Sequence, residues 1–105
     1  MKSILLPAIA ISLGIVSFTT VACPEKSQAI ITQHSFGAIT FEHFQGLEYQ
    51  PELINKMMAE GSVFELQAGE PVCVIKTEWQ FYRAVIELNN GRQLWIKDSA
   101  FQLKI

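Results

Sequence analysis

Phe81-Tyr82-Arg83-Ala84-Val85-Ile86-Glu87-Leu88-Asn89-Asn90-Gly91-Arg92-Gln93-Leu94-Trp95-Ile96 is the stretch that decides the fold. Side chains on a strand alternate between two faces. Tyr82, Ala84, Ile86 and Leu88 therefore fall on one face, and Phe81, Arg83, Val85 and Glu87 on the other. Asn89-Asn90-Gly91 breaks the alternation with residues that accept the positive φ of a tight hairpin, and Arg92 to Ile96 returns as the paired strand. Upstream, Val63 to Leu66 is a short strand, Gln67-Ala68-Gly69-Glu70-Pro71 a turn, and Val72 to Thr77 an apolar strand that reaches a hinge at Glu78-Trp79-Gln80. Downstream, Lys97-Asp98-Ser99-Ala100 reads as one helical turn, and Phe101 to Ile105 closes the chain. Five short strands in about 43 residues are too few for a two-sheet sandwich and suit a small, strongly bent barrel.

Before this region the apolar period changes. Leu53, Ile54, Met57 and Met58 form a helical stripe behind Pro51, with Gly61 placed to end it, which predicts a helix over 51–60. Ile30-Ile31-Thr32 and the run Ala38 to Phe44 are rich in β-branched and aromatic residues and predict one or two early strands, punctuated by Gly37 and Gly46. Residues 23–29 are short and polar and read as a tether. A chain of 105 residues has room for one domain and no second core. The expected fold is thus mainly β, with a barrel over 61–105, strands and one helix over 30–60, the tether at 23–29 and a signal helix over 1–22.

That first segment has a single charge, Lys2, followed by an apolar run from Ile4 to Phe18 and by the small residues Thr19-Thr20-Val21-Ala22. This is the layout of a secretory signal peptide and predicts an exported protein of the periplasm or cell envelope. Thr20-Val21-Ala22-Cys23 resembles the lipobox of bacterial lipoproteins, which would make Cys23 a lipidation site and a membrane anchor; Thr20 and Pro24 depart from that pattern. Ordinary cleavage after Ala22, or after Ala29 in Ser27-Gln28-Ala29, is the competing expectation. The two cysteines follow from this choice. A Cys23–Cys73 disulfide is open if Cys23 stays unmodified, whereas acylation or removal of Cys23 leaves Cys73 alone. The apolar setting Val72-Cys73-Val74-Ile75 favours an inert, buried thiol at Cys73.

The stretch from Phe64 to Ile105 resembles Src-homology-3-like barrels, including their bacterial extracytoplasmic relatives. The resemblance rests on Leu66 to Val74, on Phe81-Tyr82-Arg83-Ala84 as an aromatic-aromatic-x-Ala strand, and on Gly91 to Ile96 followed by the helical turn and Phe101. Lys97 stands where the family's groove proline would be, and Ala100 where its groove tyrosine would be. The resemblance therefore does not carry polyproline binding over. It implies binding to cell-wall peptides or partner proteins, or a structural role.

The residues that could carry chemistry form weak sets. A catalytic thiolate at Cys73 would need a lowered pKa, and its apolar neighbours act in the other direction. His34, His43 and Glu42 could be considered for zinc, but their spacing does not specify a tetrahedral site. Glu65 with Glu70, and Glu78 with Glu87, read as solvated strand faces rather than acid/base pairs. Neither a glycine-rich phosphate loop nor a serine-centred elbow occurs in the sequence. Residues 23–105 carry seven basic and ten acidic side chains, a formal charge of −3, which argues against nucleic acid as a partner. The expectation is a non-catalytic binding module with no cofactor and no metal, contacting an envelope protein or peptide through Trp79, Phe81, Arg83 and Trp95. A binder of murein peptides and a small envelope inhibitor or surface-exclusion lipoprotein are the alternatives. Burial of these aromatics beneath the early segment and the 51–60 helix is the competing structural reading.

Overall fold

The structure is a computed structural model that describes residues 23–104, so the expected signal peptide and Ile105 lie outside the described residues. Seven antiparallel strands form one sheet: β1 (Gln28–Ile31), β2 (Ser35–Ala38), β3 (Val63–Leu66), β4 (Pro71–Glu78), β5 (Arg83–Glu87), β6 (Gln93–Lys97) and β7 (Phe101–Leu103). Their order across the sheet is β3-β2-β6-β5-β4-β1-β7. Two helices, α1 (Phe41–Tyr49) and α2 (Ile54–Ala59), lie between β2 and β3 in the chain.

The β5–β6 hairpin forms as its sequence dictates. Ala84 pairs with Ile96 and Ile86 with Leu94, which puts four fully buried side chains on one face. Gly91 takes φ +89°, Leu88 N–H donates to the Arg92 carbonyl at 2.8 Å, and Arg92 N–H donates to Asn90 Oδ1 at 2.9 Å. Around this face the sheet wraps a core of Ala29, Ile31, Leu66, Val72, Leu88, Ala100 and Phe101. The helical turn expected before the last strand is a 3-10 turn over Asp98–Ala100.

The early chain differs from expectation at several points. The run Ala38 to Phe44 is not a strand: β2 ends at Ala38 and α1 starts at Phe41. Thr40 is extended at φ −133° and its hydroxyl accepts the His43 N–H at 3.1 Å, so the β-branched residue acts as a helix N-cap. Phe41, Phe44 and Leu47 then share the inward face at intervals of three. Residues 23–29 are not a tether either. Glu25–Ser27 is a 3-10 turn, and Ala29 on β1 is fully buried between Val72 of β4 and Leu103 of β7. The first strand of the wrapped sheet is consequently β1, while the 63–66 strand pairs with β2 instead. The predicted 51–60 helix is present as a 3-10 turn over Pro51–Leu53 continued by α2.

A second apolar cluster, contrary to the single core expected from length, sits on the other face of β2, β3 and β6. It joins Ala38, Phe44, Met57 and Val63 with half-buried Phe36, Phe41, Leu53 and Trp95. Both clusters meet at β6, where Leu94 and Ile96 point into the first and Trp95 into the second. Gly37 makes that sharing work. A Cβ there would lie 2.9 Å from Leu94 Cβ and Cδ1 and 3.0 Å from Ile96 Cγ2, so this residue is a close-approach site within β2 rather than punctuation.

Cys73 is not a lone thiol: it is bonded to Cys23, fifty residues away, with Cα atoms 5.8 Å apart. A disulfide and a lipid thioether use the same sulfur, so in this state Cys23 is unavailable for lipidation. Closing a loop of this length stabilises by about 4 kcal/mol through the unfolded chain in the entropic account.

Two outcomes follow. Gly37→Ala should lower stability by about 1–3 kcal/mol, read as a lower urea midpoint with an unchanged slope. Alkylation of the denatured, unreduced protein should label neither cysteine, and label both after reduction, with a large loss of thermal stability; labelling without reductant contradicts the bridge.

Candidate partner-binding surface

The link between β4 and β5 is a 3-10 turn, Trp79–Phe81, closed by Tyr82. Tyr82 is the one non-glycine residue among the described residues with positive φ (φ +59°, ψ +38°). Its N–H donates to the Trp79 carbonyl at 3.1 Å, and its carbonyl accepts the Asp98 N–H at 3.0 Å. The left-handed conformation costs about 1–2 kcal/mol for a residue bearing a Cβ, and it closes a turn on which three aromatic rings are exposed. Trp79 is 49%, Phe81 55% and Tyr82 72% exposed. The alternation that placed Tyr82 with Ala84 and Ile86 is therefore corrected: strand geometry begins only at Arg83.

Arg83 organises the surface beneath these rings. Its Nε donates to Glu78 Oε1 at 2.5 Å, and its guanidinium lies 4.5 Å from the Phe81 ring centre, 4.4 Å from Phe41 and 5.9 Å from Trp95. Planar guanidinium stacks well on aromatic faces, so the cation bridges the exposed turn and α1. Lys76 Nζ completes the group, 3.2 Å from Glu78 Oε2 and 5.4 Å from the Trp95 ring centre.

Of the four residues singled out from sequence, Phe81 and Arg83 come together on this surface, while Trp79, exposed on the same turn, rests its ring 6.1 Å from that of Phe101. Trp95 does not share their exposure. It is half-buried under α1, its ring 5.2 Å from Phe41 and 6.4 Å from Phe44, and it reaches the surface through Arg83 and Lys76. The competing burial reading thus holds for Trp95, through α1 rather than the 51–60 helix, and fails for the turn.

Two neighbours escaped the sequence reading. Tyr82 was assigned inward. Ile75 was expected in a buried strand, but a bulge between Val74 and Lys76 leaves it 46% exposed. With Ile39, Val85 and Trp95 it lines a shallow groove of about 260 Å³. A bulge has no short-range sequence signature here.

The other candidate groups are committed elsewhere. His34 pairs with Glu65, and His43 Nδ1 lies 2.6 Å from Thr40 Oγ1 at the helix cap, so the histidines serve separate elements. While bridged, Cys73 presents no thiolate. A second cavity of about 310 Å³ opens between β2, α1 and the Asp98–Ala100 turn, lined by Phe36, Leu47 and Lys97, and by Ser35, whose buried hydroxyl has no hydrogen-bond partner among the described residues.

No family model matches the chain, and neither a curated protein nor a solved structure matches it.

The hydrogen bond from Arg83, with a smaller one from Lys76, holds the Glu78 carboxyl below the usual glutamate range. A carboxyl lowered on folding contributes stability above its unfolded pKa and loses it as the pH falls through the folded value. Glu78→Gln should therefore lower stability at neutral pH and flatten the acid limb of the stability–pH curve below about pH 4.3. Thermal melts at stepped pH check this; an unchanged acid limb contradicts it.

Proposed function

We propose that the protein is a non-catalytic binding module of the cell envelope, built on a small Src-homology-3-like barrel, that holds a protein or peptide partner on the Trp79–Arg83 turn. The barrel reading draws support from β7-β1-β4-β5-β6, in which the first and last strands are neighbours, and from the 3-10 turn that leads into β7. Export draws support from the apolar segment before Cys23 and from the Cys23–Cys73 bridge, since disulfides persist in oxidising compartments.

One observation carries the binding role: three of the four residues from Trp79 to Tyr82 expose aromatic rings, and the last of them is a left-handed tyrosine. Aromatic rings and arginine are the side chains enriched at binding hot spots, because they bring large contact area with few rotors. Core packing accounts for one side of Trp79, whose ring centre lies 6.1 Å from that of buried Phe101, but not for the exposed rings of Phe81 and Tyr82.

Phe81→Ala should leave the fold intact, because the ring is mostly exposed, while abolishing retention of an envelope partner in affinity capture from the native envelope. Circular dichroism establishes the fold, and capture at wild-type strength would refute the assignment.

A further inference from the structure

Resting on the reading of the Trp79–Arg83 turn as a binding surface, we infer that the partner segment is acidic and carries a large apolar anchor. The inference comes from how charge is distributed over the outer face of β4, β5 and β6. Cross-strand partners share a face, so the register Glu78–Arg83–Lys97 forms one row beside the aromatic turn, and Lys76–Val85–Trp95 forms the next. Three cations thus stand on two adjacent rows with Glu78 as the one carboxylate among the described residues of those rows. Glu78 is shared between Arg83 and Lys76. Lys97 lies directly across from Arg83, and like charges in opposed positions cost stability.

The excess is local. Residues 23–105 are acidic as a whole, and the helical insert supplies Glu42, Glu48, Glu52 and Glu60 against Lys56 alone. Three of the seven basic side chains of an acidic domain are therefore gathered beside its exposed aromatics, against Glu78 in the same rows, Asp98 next to Lys97 and Glu87 one row further along β5. A partner that lays an apolar side chain on Phe81 and Trp79 brings its flanking residues over Lys76 and Lys97, both exposed. Carboxylates there relieve the Arg83–Lys97 repulsion, while basic flanks add to it. The shallow groove of Ile39, Ile75 and Val85 continues the apolar path past Lys76.

The test is panning of the purified protein against a random peptide display library, in parallel with Phe81→Ala, Lys97→Glu and Lys97→Gln. Enriched peptides should combine Asp or Glu with a large apolar residue. A synthetic member should lose about tenfold in affinity on Lys97→Glu, less on Lys97→Gln, and regain it when its own acids are changed to lysine. Its binding should also weaken as salt is raised. Enrichment that depends on Phe81 but shows no acidic bias overturns the charge inference and leaves the binding-module reading standing. Enrichment that does not depend on Phe81, or none at all, overturns both. Binding to phosphatidylglycerol vesicles that is lost on Lys97→Glu, without peptide enrichment, assigns the face to a membrane and overturns the inference.

Discussion

The middle of strand β6 is covered on both faces, with Leu94 and Ile96 fully buried on one and Trp95 half-buried on the other between exposed Gln93 and Lys97, and this constraint orders everything around it. Leu94 and Ile96 must lie inside the wrapped sheet because they fill the space opposite Ile86 and Ala84. The same alternation forces Trp95 outward, where a residue of that size cannot be left without cover. Helix α1 provides the cover through Phe41 and Phe44, and β2 must come close enough to deliver it. The close approach is feasible because Gly37 has no side chain to meet Leu94 and Ile96. One strand thus links the main core of the sheet to the helices, and the described residues carry two apolar clusters rather than one.

What the sequence disclosed and what it concealed divide along the range of the interactions involved. The Asn89-Asn90-Gly91 hairpin, the 98–100 turn and the Pro51 helix start are encoded within a few residues, and all were legible. Non-local facts were not. Ile30 and Ile31 announce a strand, but nothing near them says that it threads between β4 and β7 and so brings Cys23 to Cys73. Thr40 reads as β-branched until its hydroxyl is seen to accept from His43. The Ile75 bulge is set by the bending of β4 around the core, which depends on strands far away in the chain.

At the surface, local strain and local charge serve one end. The left-handed Tyr82 would be removed at no loss of contacts by a glycine, so its side chain accounts for a cost that the backbone alone does not require. Arg83 then limits the freedom of Phe81 by stacking against it, while Glu78 fixes the guanidinium from below. Rings already oriented in this way would lose less entropy in the binding role proposed for the turn. Trp95 contributes from beneath, as part of the floor against which Phe41 and Arg83 are held.

The disulfide adds a directional consequence. Cys73 lies near the start of β4 and Trp79 just past its end, a separation of about 20 Å along an extended strand. Cys23 is bonded at the first of these positions, so the chain preceding it attaches at the end of β4 away from the aromatic turn. Reduction would free Cys23 and loosen the grip on β1, whose fully buried Ala29 and Ile31 contribute to the same core as Ala84 and Ile86. The bridge thus fastens the start of the described chain to β4 and, through β1, to the main core.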